Sequence, residues 1–579
     1  MTDRHLEVGD TKAPALLLRG ADRPTHLFTL SPRAAWAIAT LTIAAATWHS
    51  WMVDGGLGDV LFVMGVFLAA GAVVMLGSRR LLFAAVVIAC AIVLLRSIAV
   101  LKQEPTGVVL HAYDVASFLR SSSPIVDLWQ DQRRYAAALL VALSAMLALG
   151  WISWRLDPTR VRRMRGLAAV AVCAAIAVVG ALSKDKVGHT AFYYEERYLS
   201  FWLTSWPDTI KALWRGHLME AAGSTKAPAL TLPASCTPAS KPPHIILIHQ
   251  ESVVPPHFFP QIRYDSSIDP LFQSFDNSVR KLRVETYGGA SWLSEFSVLT
   301  GISAESLGGL RHFAQTIMAR KMRETLPQAL GRCGYRNVAV HPMLRAYLAI
   351  GHFFDAVGFH QMLDAKDQGA TEIIDRDRRY YASALAEAER HLKSSSQPLF
   401  LFIETMATHG PYTYTYRPEV DMPGGGSGTA PEMHEYLRRL GMARQDYAFL
   451  KSEFERRFPG EAFLIVQYGD HQPFVTLPLL GLHQESTIED VMRSGNEAAL
   501  LTYYAVDGVR YRPQPLPQLD RLDIAYLGTV LLTAAGLPLS DTYHERKRLM
   551  ITCKGRHHGC PGMLEFNRRL IHSRIIDAL

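Results

Sequence analysis

Cysteine is scarce in this sequence, with six in 579 residues. Cys90 and Cys173 fall inside apolar runs; Cys236, Cys333, Cys553 and Cys560 all follow the last such run. An even number in that half fits a compartment that permits disulfides. Cys553 and Cys560 enclose Lys-Gly-Arg-His-His-Gly and are expected to pair, with a zinc site using His557 and His558 as the alternative. The pairing of Cys236 and Cys333 stays open. A second thing missing is a short apolar core with a small-residue cleavage site. Residues 1–31 are polar and carry Arg4, Lys12, Arg19 and Arg23, so no removed signal peptide is expected. A nucleic-acid-binding module is absent too. The formal charge of +7 comes largely with arginines beside apolar segments, where they act as topology signals. No nucleic-acid partner is expected.

Apolar residues are what the chain has in excess. They make up 49% of it and concentrate before residue 184. Five runs, at about 33–52, 58–77, 81–101, 135–154 and 167–183, each approach the roughly 20 residues that a bilayer core requires. Buried helices of a soluble protein would rarely give five such runs in succession. Arg79-Arg80 lies between the second and third runs, and Arg155, Arg160, Arg162, Arg163 and Arg165 lie between the fourth and fifth. The positive-inside rule makes these loops cytoplasmic and places everything after the fifth run, and the 102–134 loop, outside. The expected organisation is a cytoplasmic N-terminus (1–32), a five-helix transmembrane domain (33–183), an interfacial segment and linker (184–243) and an extracytoplasmic catalytic domain (244–579). Aromatics are dense over 193–218, which reads as a headgroup-level segment interrupted near Pro207, or as an amphipathic packing helix. Residues 221–243 have linker composition.

From residue 244 apolar strands alternate with helical stretches. Ile245–Ile248, Asn337–Val340, Leu399–Ile403 and Phe463–Val466 are continuous apolar runs, the pattern of a sheet buried on both faces in an α/β domain. Such folds bind ligands at the carboxyl ends of strands. The polar residues found there are His249, Glu251 and Ser252; His341; Glu404 and His409; and Asp470 with His471. A carboxylate, an Asp-His pair and a hydroxyl at strand ends can hold a divalent cation. The hydroxyl is expected from Thr286-Tyr-Gly-Gly-Ala-Ser-Trp-Leu-Ser-Glu-Phe296, where a strand-like run meets a glycine turn and then helix formers. Ser291 stands at the helix start, where backbone amides favour an anionic oxygen; Thr286 is the competing hydroxyl.

Ser291 after Gly288-Gly289, Glu295-Phe296 four residues later, Leu299-Thr-Gly301 and Gly469-Asp470-His471 together resemble the lipoteichoic acid synthase and phosphoglycerol transferase group of the alkaline phosphatase–sulfatase superfamily. The resemblance implies a membrane-embedded N-terminal half of five helices and an outward-facing, sulfatase-like α/β domain in the bacterial cytoplasmic (inner) membrane. It implies Glu251, Ser291, Asp470 and His471 as ligands of one divalent metal, with Mn2+ favoured and Zn2+ or Mg2+ as alternatives. Ser291 and His409 would be catalytic, and His341, Arg345 and Trp292 would contact substrate. The implied reaction moves a phospho-headgroup, phosphoglycerol first, from a membrane phospholipid through a phospho-serine to an envelope glycan or glycolipid. Two departures stand out. The family nucleophile is threonine, and the family's arginine-bearing segment after the second strand is replaced by Tyr347-Leu-Ala-Ile350, leaving Arg345 as the substitute. A phosphoethanolamine transferase is the alternative. A sulfatase would need x-Pro-x-Arg after its Cys or Ser, and Ser291-Trp-Leu-Ser-Glu lacks it. A catalytically dead scaffold would have no reason to keep all four ligands.

Overall fold

The structure, a computed structural model, describes residues 29–106, 109–115, 133–184 and 197–577, apart from 222, 348, 349, 371, 373 and 487. Expectations for residues 1–28, for most of the 102–134 loop and for 185–196 lie outside the described residues. The chain divides into two compact units.

The first unit is Met1–Met52, Val60–Leu94 and Ala137–Ser183. Each predicted apolar run is helical: α1 (Pro32–Asp54), α2 (Leu57–Ser78), α3 (Leu81–Thr106), α4 (Arg133–Leu156) and α5 (Arg163–Ser183). Four of them contain spans long and apolar enough to cross a bilayer: Leu57–Ser78, Leu81–Gln103, Ala137–Leu156 and Arg163–Ser183. The helix α1 is long enough but is diluted by Thr40, Thr42, Thr47, His49 and Ser50. Five helices therefore stand where five spans were expected, and four have the hydropathy of one. The helices α2 and α5 pack through glycine. A Cβ on Gly180 would lie 2.2 Å from the Phe62 nitrogen, and one on Gly65 would lie 2.4 Å from that of Ala177. Only residues without side chains let two helix backbones approach so closely. The two basic loops are joined at one end of this unit. Leu81 N–H donates to Thr159 Oγ1 (2.9 Å), Val161 N–H donates to the Arg79 carbonyl (2.9 Å), and the Arg80 guanidinium lies 4.4 Å from the Trp154 ring centroid.

The second unit comprises Val53–Asp59, Leu95–Ala136 and Lys184–Leu579. Its centre is an eight-stranded sheet, with β1 (His244–Gln250), β2 (Arg280–Arg283), β3 (Arg336–Val340), β4 (Gln361–Leu363), β5 (Leu399–Glu404), β6 (Phe463–Gly469), β7 (Leu501–Val509) and β8 (Leu522–Asp523). The strand order is β4-β3-β5-β1-β6-β7-β2-β8. The strands from β4 to β6 are parallel, and β7 runs antiparallel to both of its neighbours. Every residue of β1, β5 and β6 is buried, because alternate side chains enter two separate cores. Ile245, Leu247, Phe400, Phe402, Leu464 and Val466 share one core with Leu293, Phe296 and Leu299 of α8 (Ser291–Thr300). Ile246, Ile248, Leu401, Ile403 and Ile465 share the other with Tyr381 and Leu385 of α11 and Tyr436 and Leu440 of α12, helices that span Asp377–Ser394 and Pro431–Arg457. The α/β expectation is met, with the antiparallel β7 inserted between β6 and β2 and the short β4 and β8 at the edges.

Residues 198–215 form α6 (Tyr198–Thr204) and α7 (Trp206–Arg215), which break at Ser205 just before Pro207. Tyr198, Leu199 and Phe201 are buried, whereas Trp214 is 91% exposed, so the segment packs through one face only. The Asp54 carboxylate accepts the Leu199 amide (3.0 Å) at the start of α6. Residues 221–243 have linker composition yet lie against the unit: Leu230 N–H donates to Ser573 Oγ (2.8 Å) and Cys236 N–H to the Arg332 carbonyl (2.9 Å).

Both extramembranous cysteine pairs are disulfides, Cys236–Cys333 and Cys553–Cys560. With its two thiols joined to each other, the second pair offers no thiolate for the alternative zinc site. Cys236–Cys333 closes a loop of 97 residues and ties the segment before β1 to the residue that ends the helix preceding β3. Replacing both cysteines by serine is expected to cost about 2–5 kcal/mol, read as a lower midpoint of denaturant unfolding under oxidising conditions.

Candidate active site

The parallel strands β1, β3, β5 and β6 bring their carboxyl ends to one edge of the sheet. His249 pairs in register with Glu404 on one side and with Tyr468 on the other. The glycine turn before Ser291 faces this edge. Gly288 (φ 69°) and Ala290 (φ 63°) take left-handed backbone conformations. At Gly288 a side chain is also excluded by space, because a Cβ would meet the Phe474 ring at 2.6 Å. The Gly288 amide donates to the Gln472 carbonyl (2.9 Å), which stitches the turn to the segment after β6. Ser291 is then the first residue of α8. The helix is anchored by Ser294 Oγ, which donates to the Asp470 carbonyl (2.6 Å), and by Ser297 Oγ, which donates to Glu285 (2.8 Å).

Ser291 Oγ donates to Glu251 Oε2 (2.9 Å) and lies 3.4 Å from His471 Nε2. His471 Nε2 is in turn 3.3 Å from Glu251 Oε1 and 3.4 Å from Asp470 Oδ2. Thr286 stands apart from this group. It is buried, and its hydroxyl donates to the Gly289 carbonyl (2.6 Å), closing the turn from inside. The four residues expected to hold a metal are therefore together, and the competing hydroxyl is spent on the turn.

The donors fit a cation. The Nδ1–H of His471 is committed to the Gln472 carbonyl (3.0 Å), which leaves Nε2 facing the carboxylates. Asp470 Oδ1 accepts the Ser252 and His471 amides (2.7 Å each), while the buried Oδ2 has no directed hydrogen bond. Burial opposes charge on His471, but Asp470 and Glu251 outweigh it and raise the imidazole to about 9. Burial likewise opposes charge on Glu251, and His471 and His409 nonetheless hold its carboxyl far below the usual range. Groups that stabilise charge so strongly without metal are a matched set for a divalent ion with mixed oxygen and nitrogen ligands.

Around them lies a cavity of about 1260 Å3 whose lining includes Ser291, Trp292, His341, His409, Tyr347 and Arg263. His409 is half-buried there; its Nδ1–H donates to the Gly410 carbonyl (2.6 Å), so any chemistry falls to Nε2. Trp292 is mostly buried and donates its indole N–H to the His312 carbonyl (3.1 Å), forming a rigid wall. His341 reaches the wall but directs its ring inward. Its Nδ1 accepts the Met343 amide (3.1 Å), and its Nε2 lies 3.1 Å from Glu295 and 2.9 Å from Glu404.

Arg345 does not join the site. It forms a paired hydrogen bond with Asp355 (2.9 and 2.7 Å) and is absent from the cavity lining, because the chain after β3 turns it toward α10 (Ile350–Val357). The arginine that does line the cavity is Arg263, from the stretch between β1 and β2, which no motif marked in the sequence. His249 was visible at a strand end but not as part of the site. It is fully buried, with Nδ1 2.7 Å from the Tyr468 hydroxyl and Nε2 3.1 Å from Asp470 Oδ2. Arg439 was also missed. It is wholly buried, donates to the His409 and Pro411 carbonyls (2.6 and 3.0 Å) and so holds the His409 loop.

Residues 280–488 match the sulfatase family model, a stretch that holds Ser291, His341, His409, Asp470 and His471 and begins after Glu251. An uncharacterized protein of Haemophilus influenzae is 26% identical over 328 residues, which is 54% of this chain and only 56% of that relative's length. Among solved structures, the phosphoglycerol transferase of Streptococcus pyogenes in complex with sn-glycerol-1-phosphate aligns with a TM-score of 0.43 and 17% identity, over 58% of this chain and 85% of that one. The integral membrane lipooligosaccharide phosphoethanolamine transferase A of Neisseria meningitidis aligns with a TM-score of 0.37 and 10% identity, over 88% of this chain and 96% of that one. The part of this chain that is similar to the sulfatase family therefore runs from β2 through the Asp470-His471 pair.

Proposed function

We propose that this protein is a membrane-anchored, metal-dependent transferase that moves a phospho-headgroup, phosphoglycerol first, from a phospholipid to an envelope glycan or glycolipid. The observation that carries this reading is Ser291 Oγ at the start of α8, bonded to Glu251 and beside His471. Ser291 Oγ passes its proton to its acceptor Glu251 Oε2 and attacks phosphorus, and the bond from phosphorus to the diacylglycerol oxygen breaks as His409 Nε2 supplies a proton to that oxygen. In the second half-reaction His409 Nε2 takes the proton of the acceptor hydroxyl, the acceptor oxygen attacks phosphorus, and the serine–phosphorus bond breaks with Ser291 Oγ recovering its proton from Glu251. The amides at the start of α8 face the phosphoryl oxygens. A divalent ion held by Glu251, Ser291, Asp470 and His471 would act as a Lewis acid on the hydroxyl and the phosphoryl group. Arg263, rather than Arg345, is the arginine in place to pair with a phosphate or glycerol oxygen.

We infer that the catalytic unit lies outside the cytoplasm. With the Arg79-Arg80 and 155–165 loops inside, α5 leads outward whether or not α1 crosses. Two disulfides in this unit support the same side.

A phosphoethanolamine donor is the second reading, favoured by the diversion of Arg345 to Asp355. Incubation of the purified protein with phosphatidylglycerol or phosphatidylethanolamine, followed by intact mass and peptide mapping, tests both. A phosphoglycerol adduct on Ser291 is expected. A phosphoethanolamine adduct would select the second reading, and no adduct on Ser291 with either lipid while diacylglycerol accumulates would reject the covalent route.

A further inference from the structure

Behind the Glu251-Ser291-Asp470-His471 group lies a second set of ionisable side chains that the proposed reaction does not use. Its members come from three elements: His249 from β1, Glu295 from α8 and Glu404 from β5. One ligand atom from each lies within 4.8 Å of the others. All three are buried, with exposures of 0%, 1% and 4%. We propose that His249, Glu295 and Glu404 form an inner divalent-cation site, separate from the one at Ser291.

Three features of the hydrogen bonding carry this. The first is that two buried polar atoms in the cluster, His249 Nε2 and Glu404 Oε2, have no directed hydrogen bond among the described residues. An uncompensated buried polar atom is destabilising, so two facing one spot call for a ligand. The second is the orientation of His249. Its Nδ1 meets the Tyr468 hydroxyl at 2.7 Å, which holds the ring so that Nε2 points inward. The third is His341, which touches the cluster without being a ligand. Because Nδ1 accepts the Met343 amide, the ring proton is on Nε2, directed at Glu295 Oε1 (3.1 Å) and toward Glu404 Oε2 (2.9 Å). Gln315 Nε2 donates to Glu295 Oε2 (2.6 Å). Together these donors are the outer partners that orient ligating carboxylates.

One nitrogen and two carboxylates suit Zn2+ or Mn2+. His249 Nε2 also lies 3.1 Å from Asp470 Oδ2, but the outer group already has an imidazole in His471, which leaves His249 to the inner one. Glu295 is one helical turn beyond Ser291, so an ion here would fasten the nucleophile's helix to the ends of β1 and β5.

The test counts metal. Full-length protein in detergent, stripped with chelator, is loaded with Zn2+ and freed of excess, and bound zinc is measured by elemental analysis. Wild type is expected to hold two equivalents, Glu404→Gln one and Glu251→Gln one. A single equivalent in wild type that survives Glu404→Gln and disappears in Glu251→Gln overturns the inner site and leaves the outer one standing. A single equivalent with the opposite pattern supports the inner site and removes the metal from the proposed mechanism. Because Glu404→Gln can also disturb folding, anomalous scattering from zinc-soaked wild-type crystals gives a readout without a variant. A peak between His249, Glu295 and Glu404 supports the proposal, and its absence while the outer site is filled rejects it.

Discussion

Ser291→Ala is expected to lower headgroup transfer by about a thousandfold or more, because in the proposed reaction it removes the attacking oxygen and a metal ligand together. Loss of a covalent nucleophile is not rescued by its neighbours. Glu251 and His471 keep their positions but have no oxygen to direct. Thr286→Ala is expected to behave differently. The Thr286 hydroxyl closes the glycine turn through the Gly289 carbonyl, so its loss should appear as about 1–3 kcal/mol of stability with most of the turnover kept. Ser291→Thr should retain partial activity, limited by the fit of one methyl group beside the buried Trp292. Single-turnover transfer from a labelled phospholipid, measured beside thermal unfolding, separates these outcomes. Near-normal transfer by Ser291→Ala together with its loss in Thr286→Ala would place the nucleophile before the glycines.

Removal of divalent metal is expected to have an effect of similar size. Chelation should abolish transfer, and re-addition of Mn2+ or Zn2+ should restore it. The pH dependence of that restoration follows from His471. In the metal-free protein Asp470 and Glu251, against burial, hold its imidazole protonated up to about pH 9. A metal ion must displace that proton from Nε2, so apparent affinity should fall about tenfold per pH unit below 9, near a hundredfold between pH 8 and pH 6. Stability of the metal-free form should run in the opposite sense. A folded value raised above the unfolded one of about 6.5 stabilises fully below pH 6.5, and that contribution is lost as pH rises through about 9. Titrations of stripped protein at several pH values check both slopes. An affinity independent of pH between 6 and 8 would mean that His471 is not a ligand.

Most of the second unit was legible because parallel strands leave plain traces. β1, β3, β5 and β6 carry apolar runs, and polar residues stand at or just after their ends: Glu251, His341, Glu404 and Asp470-His471. Gly288-Gly289 before Ser291 was readable for the same kind of reason, since the backbone there takes conformations that side chains resist. The apolar runs foretold helices α1 to α5 by length, although hydropathy separates α1 from the rest. The sequence alone therefore determined the apolar helices, the order of the strand ends and which polar residues gather there, because each depends on residues close together in the chain.

Tertiary structure decided what depends on partners far apart in sequence. Proximity to Tyr347 made Arg345 look like a phosphate ligand, but the turn after β3 gives it to Asp355, and Arg263 reaches the cavity from a segment more than 80 residues earlier. Cys236 found Cys333 across 97 residues. Thr286 and Ser291 were both plausible until their hydroxyls had acceptors, one a carbonyl within the turn and the other a carboxylate on β1's far end. His249, Glu295 and Glu404 are separated by 46 and 109 residues and carry no shared motif. Pairing β1 with β5 and packing α8 against them removes water from all three at once, and that common burial turns three ordinary polar residues into a cluster.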